Sequence, residues 1–330
     1  MSASSSTPPP SSSESAASPA LDAASSASNE SRAAVAAEAT KSAPERTAAV
    51  GETRHRIVLE ESEHARPPLS RRLYAVWFRH WLVYRSTLLA NSLPAFAEPI
   101  FFLIAIGIGL GQYIDAEIGG LPFGAWLGAG VLAMTALFTS VFETTYGTFV
   151  RMVYQKTYDA MIVTPITVRD AFLGELLWCG TKGLAFTAIV LSIFLIFGAF
   201  NDWLPAIQWT VVFIPFLGFV AGFLFGALGM LITSRIKNLN NFNFFLTGVI
   251  TPMAFFSGML FPVQQLPFLF EYLAYALPLF HFTELNRYLL FGYQEGRIVE
   301  WLWFCPVYLA VVTPLLAWVA IRAIRTRVQA

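Results

Sequence analysis

The sequence predicts an all-α polytopic membrane protein with six transmembrane helices and both termini on the cytoplasmic side. An N-terminal interfacial helix and re-entrant helices between spans five and six complete the expected fold. Three observations carry this. Of 330 residues, 56% are hydrophobic and only 13% charged, with a mean hydropathy of +0.58; a soluble domain has about a quarter of its residues charged. All 30 Phe, 11 Tyr and 9 Trp lie in 71–330, where six apolar stretches have the roughly 20 residues a spanning helix needs. The basic residues, finally, fall almost entirely in alternate loops.

Residues 1–69 form a separate polymer. Its first 50 residues contain 14 Ser and 15 Ala, and the segment has no aromatic residue or apolar periodicity. It cannot bury enough surface to offset chain entropy, so a disordered Ser/Ala/Pro-rich cytoplasmic tail is expected, with 70–330 as the membrane domain. No apolar core of a secretory signal follows the start, and the acidic residues disfavour a transit peptide. The charge balance is −3 before residue 71 and +3 after it, so charge gives no case for a nucleic-acid partner.

Between tail and first span, Leu73, Trp77, Trp81, Tyr84 and Leu88 recur at helical spacing, with Arg72, Arg79 and Arg85 as cationic heads. This is the pattern of a helix in the headgroup plane, or of an extension of the first span. The spans are expected at about 91–110, 123–146, 176–199, 208–232, 242–261 and 301–321. With a cytoplasmic N-terminus, twelve flanking Lys and Arg lie inside and only Arg287 and Arg297 outside. The apolar region from Pro262 to Gly292 is divided by Pro267 and Pro278 into pieces too short to cross, hence the expectation of re-entrant or surface helices.

Small residues mark helix contacts. Gly218, Gly222 and Gly226 are four apart, with Gly229 following, so one face of the fourth span admits another backbone. Gly124 and Gly128 repeat the spacing, whereas Gly107, Gly109 and Gly111 are two apart and loosen the end of the first span.

No enzyme motif is present: there is no phosphate-binding G-x-x-x-x-G-K-[ST], no H-E-x-x-H and no G-x-S-x-G. Cys179 and Cys305 sit in apolar runs without ligand spacing. His281 and Glu284 are the nearest approach to a metal pair, but a Glu284–Arg287 surface pair is the simpler reading. Intramembrane ionisable groups are costly and therefore informative. Glu98, Glu143 and Lys182 are the candidates, the last two at comparable depth. A Glu143–Lys182 pair between spans two and three is one expectation; snorkelling of both to water is the other. The last three spans add no such group, which disfavours a proton relay.

The segment from Arg151 to Asp170 is too apolar for a linker and too polar to span. Asp159 to Val163 reads as a short helix stopped before Pro165, and Thr167 or Asp170 can cap the next helix. Exposed Tyr158, Met161 and Ile162 then form a docking element for a soluble partner, unless the segment packs beneath its own bundle.

The run Tyr158-Asp-Ala-Met-Ile-Val-Thr-Pro-Ile-Thr-Val-Arg-Asp170, together with Phe255-Phe-Ser-Gly-Met-Leu-Phe-Pro-Val-Gln-Gln-Leu-Pro267, resembles the ABC-2 type transport permeases, and within them the NodJ-type lipo-oligosaccharide export permeases. The resemblance covers roughly 71–330. It implies a bacterial inner-membrane homodimer associated with two copies of a separate ATPase, which uses ATP and Mg while this chain binds no cofactor. Tyr158, Asp159, Met161, Ile162, Thr164, Pro165 and Arg169 would belong to the coupling helix, and 265–292 to the outer re-entrant region. That region takes in Phe261, Pro262, Pro267, Glu271, His281, Glu284 and Arg287. An amphiphile with a sugar headgroup is the implied cargo; drug or polyketide efflux and secondary transport remain the alternatives.

Overall fold

The computed structural model describes residues 67–88, 99–114, 117–118, 120–200, 206–292 and 302–329, with positions 93 and 97. Residues 1–66 of the expected tail, most of the start of the first span including Glu98, and Arg297 lie outside the described residues, and Leu69 of that tail already begins a helix. Ten helices carry the described fold: α1 (Leu69–Ser86), α2 (99–110), α3 (Phe123–Tyr154), α4 (Thr157–Ile162), α5 (Val168–Phe200), α6 (Trp209–Thr233), α7 (242–256), α8 (Phe268–Ala276), α9 (Pro278–Phe291) and α10 (Phe304–Gln329). The described residues include no β-strand, only an isolated Ile118–Leu121 bridge.

Four of these, α3, α5, α6 and α10, are long and apolar enough to cross a membrane. The first expected span is seen only from residue 99. It becomes π-helical over Leu103–Leu110 and 3-10 over Gly111–Tyr113, where its three glycines fall. The fifth is helical over 242–256, about 22 Å at 1.5 Å per residue, short of the roughly 30 Å hydrocarbon layer. It stops at Ser257, beside Gly258 with φ +75°.

Helix ends differ from the sequence expectation because polar residues continue helices that apolarity alone cuts short. α3 runs past Tyr146 to Tyr154, and α5 starts at Val168 rather than 176. The cause at α5 is a reciprocal cap. The backbone N–H of Asp170 donates to Thr167 Oγ1 (3.2 Å), and the Asp170 carboxylate accepts from the Thr167 N–H (3.0 Å) and hydroxyl (2.7 Å). At 33 residues α5 is about 50 Å long, more than the roughly 30 Å hydrocarbon layer.

α3 is the central helix: 83% of its most apolar window is buried, against 22% in α10. The glycine face of α6 meets α5, bringing Gly218 against Gly183, Gly222 against Cys179 and Gly180, and Gly226 against Cys179; Gly229 meets Thr144 of α3. A Cβ at Gly222 would lie 2.5 Å from the Cys179 carbonyl oxygen, closer than side chains tolerate. α1 runs beside the first turns of α5, with Val76 against Gly174, an Arg72–Asp170 ion pair, and Trp77 Nε1 donating to Thr181 Oγ1 at 2.9 Å. Trp77, His80, Trp81 and Tyr84 surround Trp178. Part of the striped face of α1 is therefore spent on α5, while Trp81 of the stripe stays 39% exposed and Tyr74, Phe78 and Val83 are exposed as well.

Candidate functional site

α4 is a single amphipathic turn and a half hung between the two longest helices. The chain enters it through Lys156, whose φ of +48° is left-handed and rare for a residue with a side chain. The helix ends before Pro165, as expected. Its exposure is not as expected: Tyr158 is 2% exposed and Met161 is buried, whereas Ile162, Val163 (89%), Thr164 and Pro165 face out. The reason is that Tyr158 has a better use than solvent. Its ring lies 4.5 Å from that of Phe172, and its hydroxyl donates to Glu175 Oε2. Burial and the Glu175 carboxylate hold that hydroxyl well above its ordinary pKa, so it remains a donor. Asp159 and Arg169 are exposed at either end of the segment.

Glu175 opens a continuous network. Its Oε1 accepts from Thr148 Oγ1 (2.6 Å) and from Arg151 Nη2; Arg151 Nη1 reaches Glu143 Oε1 at 2.9 Å; Lys182 Nζ lies 2.9 Å from Glu143 Oε2. Lys182 also stands 4.7 Å over the Tyr84 ring of α1. Two carboxylates and two cations thus alternate from α4 to α1 across α3 and α5. Neutrality and dense hydrogen bonding make burial of the ions tolerable. Glu143 and Arg151 lie in the two π-helical stretches of α3, Glu143–Gly147 and Val150–Tyr154. Such stretches recur at functional positions.

Beside the network lies a cavity of about 770 Å³ between α1, α3 and α5. Its lining mixes apolar side chains (Val83, Met134, Phe138, Phe142) with polar ones (Arg79, His80, Gln155, Lys182). His80 Nε2 and Thr139 Oγ1 are buried without a hydrogen-bond partner among the described residues. Burial, then the Arg151 cation, lowers the His80 pKa to about 4, leaving a neutral imidazole at pH 7.

A second polar group occupies α9. The expected Glu284–Arg287 pair is present but is a buried pair, not a surface one, because α9 folds back on α3. Arg287 is 1% exposed, stacks its guanidinium 3.5 Å from the Trp126 ring centroid and donates to the Gly258 carbonyl. Asn286 Nδ2 donates to the Ala129 carbonyl at 3.2 Å. His281 is also buried, with Nε2 3.0 Å from the Tyr275 carbonyl and Nδ1 3.3 Å from Cys305 Sγ, so it faces α10 rather than joining Glu284 in a metal site. Glu271 accepts from the Tyr275 hydroxyl at 2.9 Å, and Phe261, Pro262 and Pro267 form the turn leading into α8. Among the described residues no group of three or more His, Cys, Asp or Glu is placed to hold a metal ion.

Sequence reasoning missed Glu175, Thr148 and the Arg72–Asp170 pair. The available signal was spacing: Glu175 and Lys182 are seven apart and share one helix face.

Comparison with known proteins agrees with this geometry. Residues 71–291 match the model of the ABC-2 type transporter family. The chain is 33% identical over 251 residues to Nodulation protein J of Rhizobium leguminosarum bv. trifolii, covering 76% of this chain and 93% of that protein. It is 37% identical over 221 residues to Nodulation protein J of Rhizobium meliloti, covering 66% and 80%. Apolar helices of spanning length, a buried polar network across two of them and a family match over two thirds of the chain converge: this multi-pass membrane protein is a transport subunit and belongs to the ABC-2 type transporter family.

Proposed function

We propose that the chain is the permease subunit of an ATP-driven exporter, working as a homodimer with two copies of a separate ATPase in a bacterial inner membrane. Its cargo in this reading is a lipo-oligosaccharide or similar amphiphile, moved out of the cytoplasm. ATP and Mg act in the partner, and α4 is the coupling helix. The positive-inside distribution supports cytoplasmic N- and C-termini, with residues 1–69 as a cytoplasmic tail and α8–α9 on the outer side.

The observation that carries the reading is the Tyr158–Glu175 hydrogen bond. It ties the helix that a partner would touch to a buried ion network ending at a cavity lined by both polar and apolar side chains. A push on the exposed Ile162–Pro165 edge is delivered through Tyr158 to Glu175, then by Arg151 to Glu143 and Lys182. Neither α3 nor α5 can shift relative to α4 without breaking charged contacts. The same cavity presents hydroxyl- and amide-seeking groups beside phenyl rings, a chemistry suited to an amphiphile's headgroup and first chain carbons.

The test is co-purification in mild detergent followed by reconstitution. The wild-type chain is expected to retain an ATPase, and I162D/V163D to lose it while keeping its own melting temperature. Tyr158→Phe is expected to retain the ATPase yet lose cargo-stimulated hydrolysis. Transport by this chain alone, without any ATPase, would contradict the proposal.

A further inference from the structure

Arginines from three helix ends meet at one end of the bundle. Arg169 lies in the first turn of α5, Arg235 follows the end of α6, and Arg322, Arg325 and Arg327 fall in the last turns of α10. Two clefts lie among them, of about 710 and 580 Å³, both bordered by Trp318 and Arg322. The larger is walled by Arg169, Arg322 and Arg325 at that end, and by Leu173, Phe223 and Pro314 farther along; the smaller adds Arg235 and Arg327. Among the described residues no Asp or Glu lines either cleft. Arg169, Arg235 and Arg322 pair with no acid among the described residues, in contrast to Arg72, Arg151 and Arg287, each of which has a carboxylate partner.

Arg169 and Arg322, with no acidic partner among the described residues and an apolar wall beside them, describe a site for an anion carrying a hydrocarbon chain. The dimensions agree. From Pro314 to Arg325 is eleven residues of helix, about 17 Å, and one leaflet of hydrocarbon is about 15 Å deep. With the arginines at headgroup depth, Pro314 and Phe223 reach the bilayer middle. Trp318 is 59% exposed, and the Arg322 guanidinium sits 5.5 Å from its ring centroid, as expected of a residue anchored at the headgroup boundary.

We propose that the larger cleft binds an anionic phospholipid, its phosphate held by Arg169 and Arg322 and one acyl chain lying along Leu173, Phe223 and Pro314. This site is separate from the α1–α3–α5 cavity and does not depend on the exporter reading. A soluble phosphate would use the arginines and leave the apolar wall bare; a zwitterionic lipid would use the wall and leave the cations half matched. Phosphatidylglycerol uses both.

The full-length chain, delipidated in mild detergent, is titrated with phosphatidylglycerol, phosphatidylcholine or glycerol 3-phosphate, and bound adducts are counted by native mass spectrometry. Phosphatidylglycerol should be retained roughly tenfold better than phosphatidylcholine, and glycerol 3-phosphate not retained. R169Q/R322Q should lose that preference, while R169K/R322K, which keeps the charges, should preserve it. Equal retention of the two lipids by the wild type, or an undiminished preference in R169Q/R322Q, overturns the proposal. Retention of glycerol 3-phosphate as strong as that of the lipid also overturns it, reducing the cleft to a simple anion site.

Discussion

Glu175 has three polar partners on three separate turns of chain: Tyr158, Thr148 and Arg151. Replacing it by Gln removes the charge that neutralises Arg151 and leaves that guanidinium to Glu143 alone. The expected loss is about 3–5 kcal/mol, the range for breaking a buried pair, measured by thermal unfolding in detergent. Lys182→Met should cost less, because Glu143 keeps Arg151 as a second partner. For the same reason Glu143→Gln combined with Lys182→Met should show a coupling energy smaller than an isolated pair would give; a fully additive double mutant would mean that the two groups do not interact. Comparable depth made a Glu143–Lys182 pair one of two readings, beside snorkelling to water, and the 2.9 Å contact decides for the pair. Glu175 was not legible, because it stands one residue before the apolar stretch and reads as a loop residue until the Thr167–Asp170 cap is seen to start the helix earlier. His80 supplies the pH dependence. Its folded pKa of about 4 lies below the ordinary 6.5, so the unfolded chain binds more protons between these values. Stability contributed by neutral His80 is complete above pH 6.5 and declines as pH falls toward 4. His80→Asn should flatten that part of a melting-temperature profile between pH 7 and 5.

At the scale of elements, sequence periodicity located every long apolar helix but not its ends or its neighbours. Apolarity stopped α3 at Tyr146, whereas the helix continues through Arg151 to Tyr154 because the arginine is satisfied inside the protein rather than in water. The α1 stripe of Leu73, Trp77, Trp81 and Tyr84 was equally visible, but a stripe does not name the surface it covers; Trp178 of α5 is what it encloses. α4 shows the same limit in reverse. One turn and a half has two faces, and hydrophobicity could not say that Tyr158 and Met161 point in while Ile162 and Val163 point out. The glycine face of α6 correctly announced a close helix contact, and the partner is Gly180 and Gly183 of α5. Gly222→Leu should separate these helices and cost at least about 1–3 kcal/mol by overpacking. The readout is loss of monodisperse protein in size-exclusion chromatography, whereas Gly248→Ala, where an added Cβ meets nothing within 4 Å, should elute unchanged.

For the whole molecule, the family match begins at residue 71 and no aromatic residue precedes it, so a chain starting at residue 67 is expected to insert and melt as the full-length protein does. Fluorescence-detected thermostability of the two forms checks this; a lower melting temperature of the shortened chain would assign the tail a structural role. The buried Arg287 shows why the region of α8 and α9 resisted sequence reading. Its proline breaks marked α8 and α9 correctly as short helices, but the contact of α9 with α3 depends on long-range packing that no local pattern encodes. The α5–α6 contact has one more implication. Helices that meet through backbone atoms have no side-chain layer between them to rearrange, and a slide of one turn would drive Thr187 or Cys179 off the glycine that now receives it and onto a Cβ. Those two spans therefore form a single stiff strut. Any widening of the molecule falls to the joints where large side chains and empty volume already lie, along the α1–α3 side of the cavity.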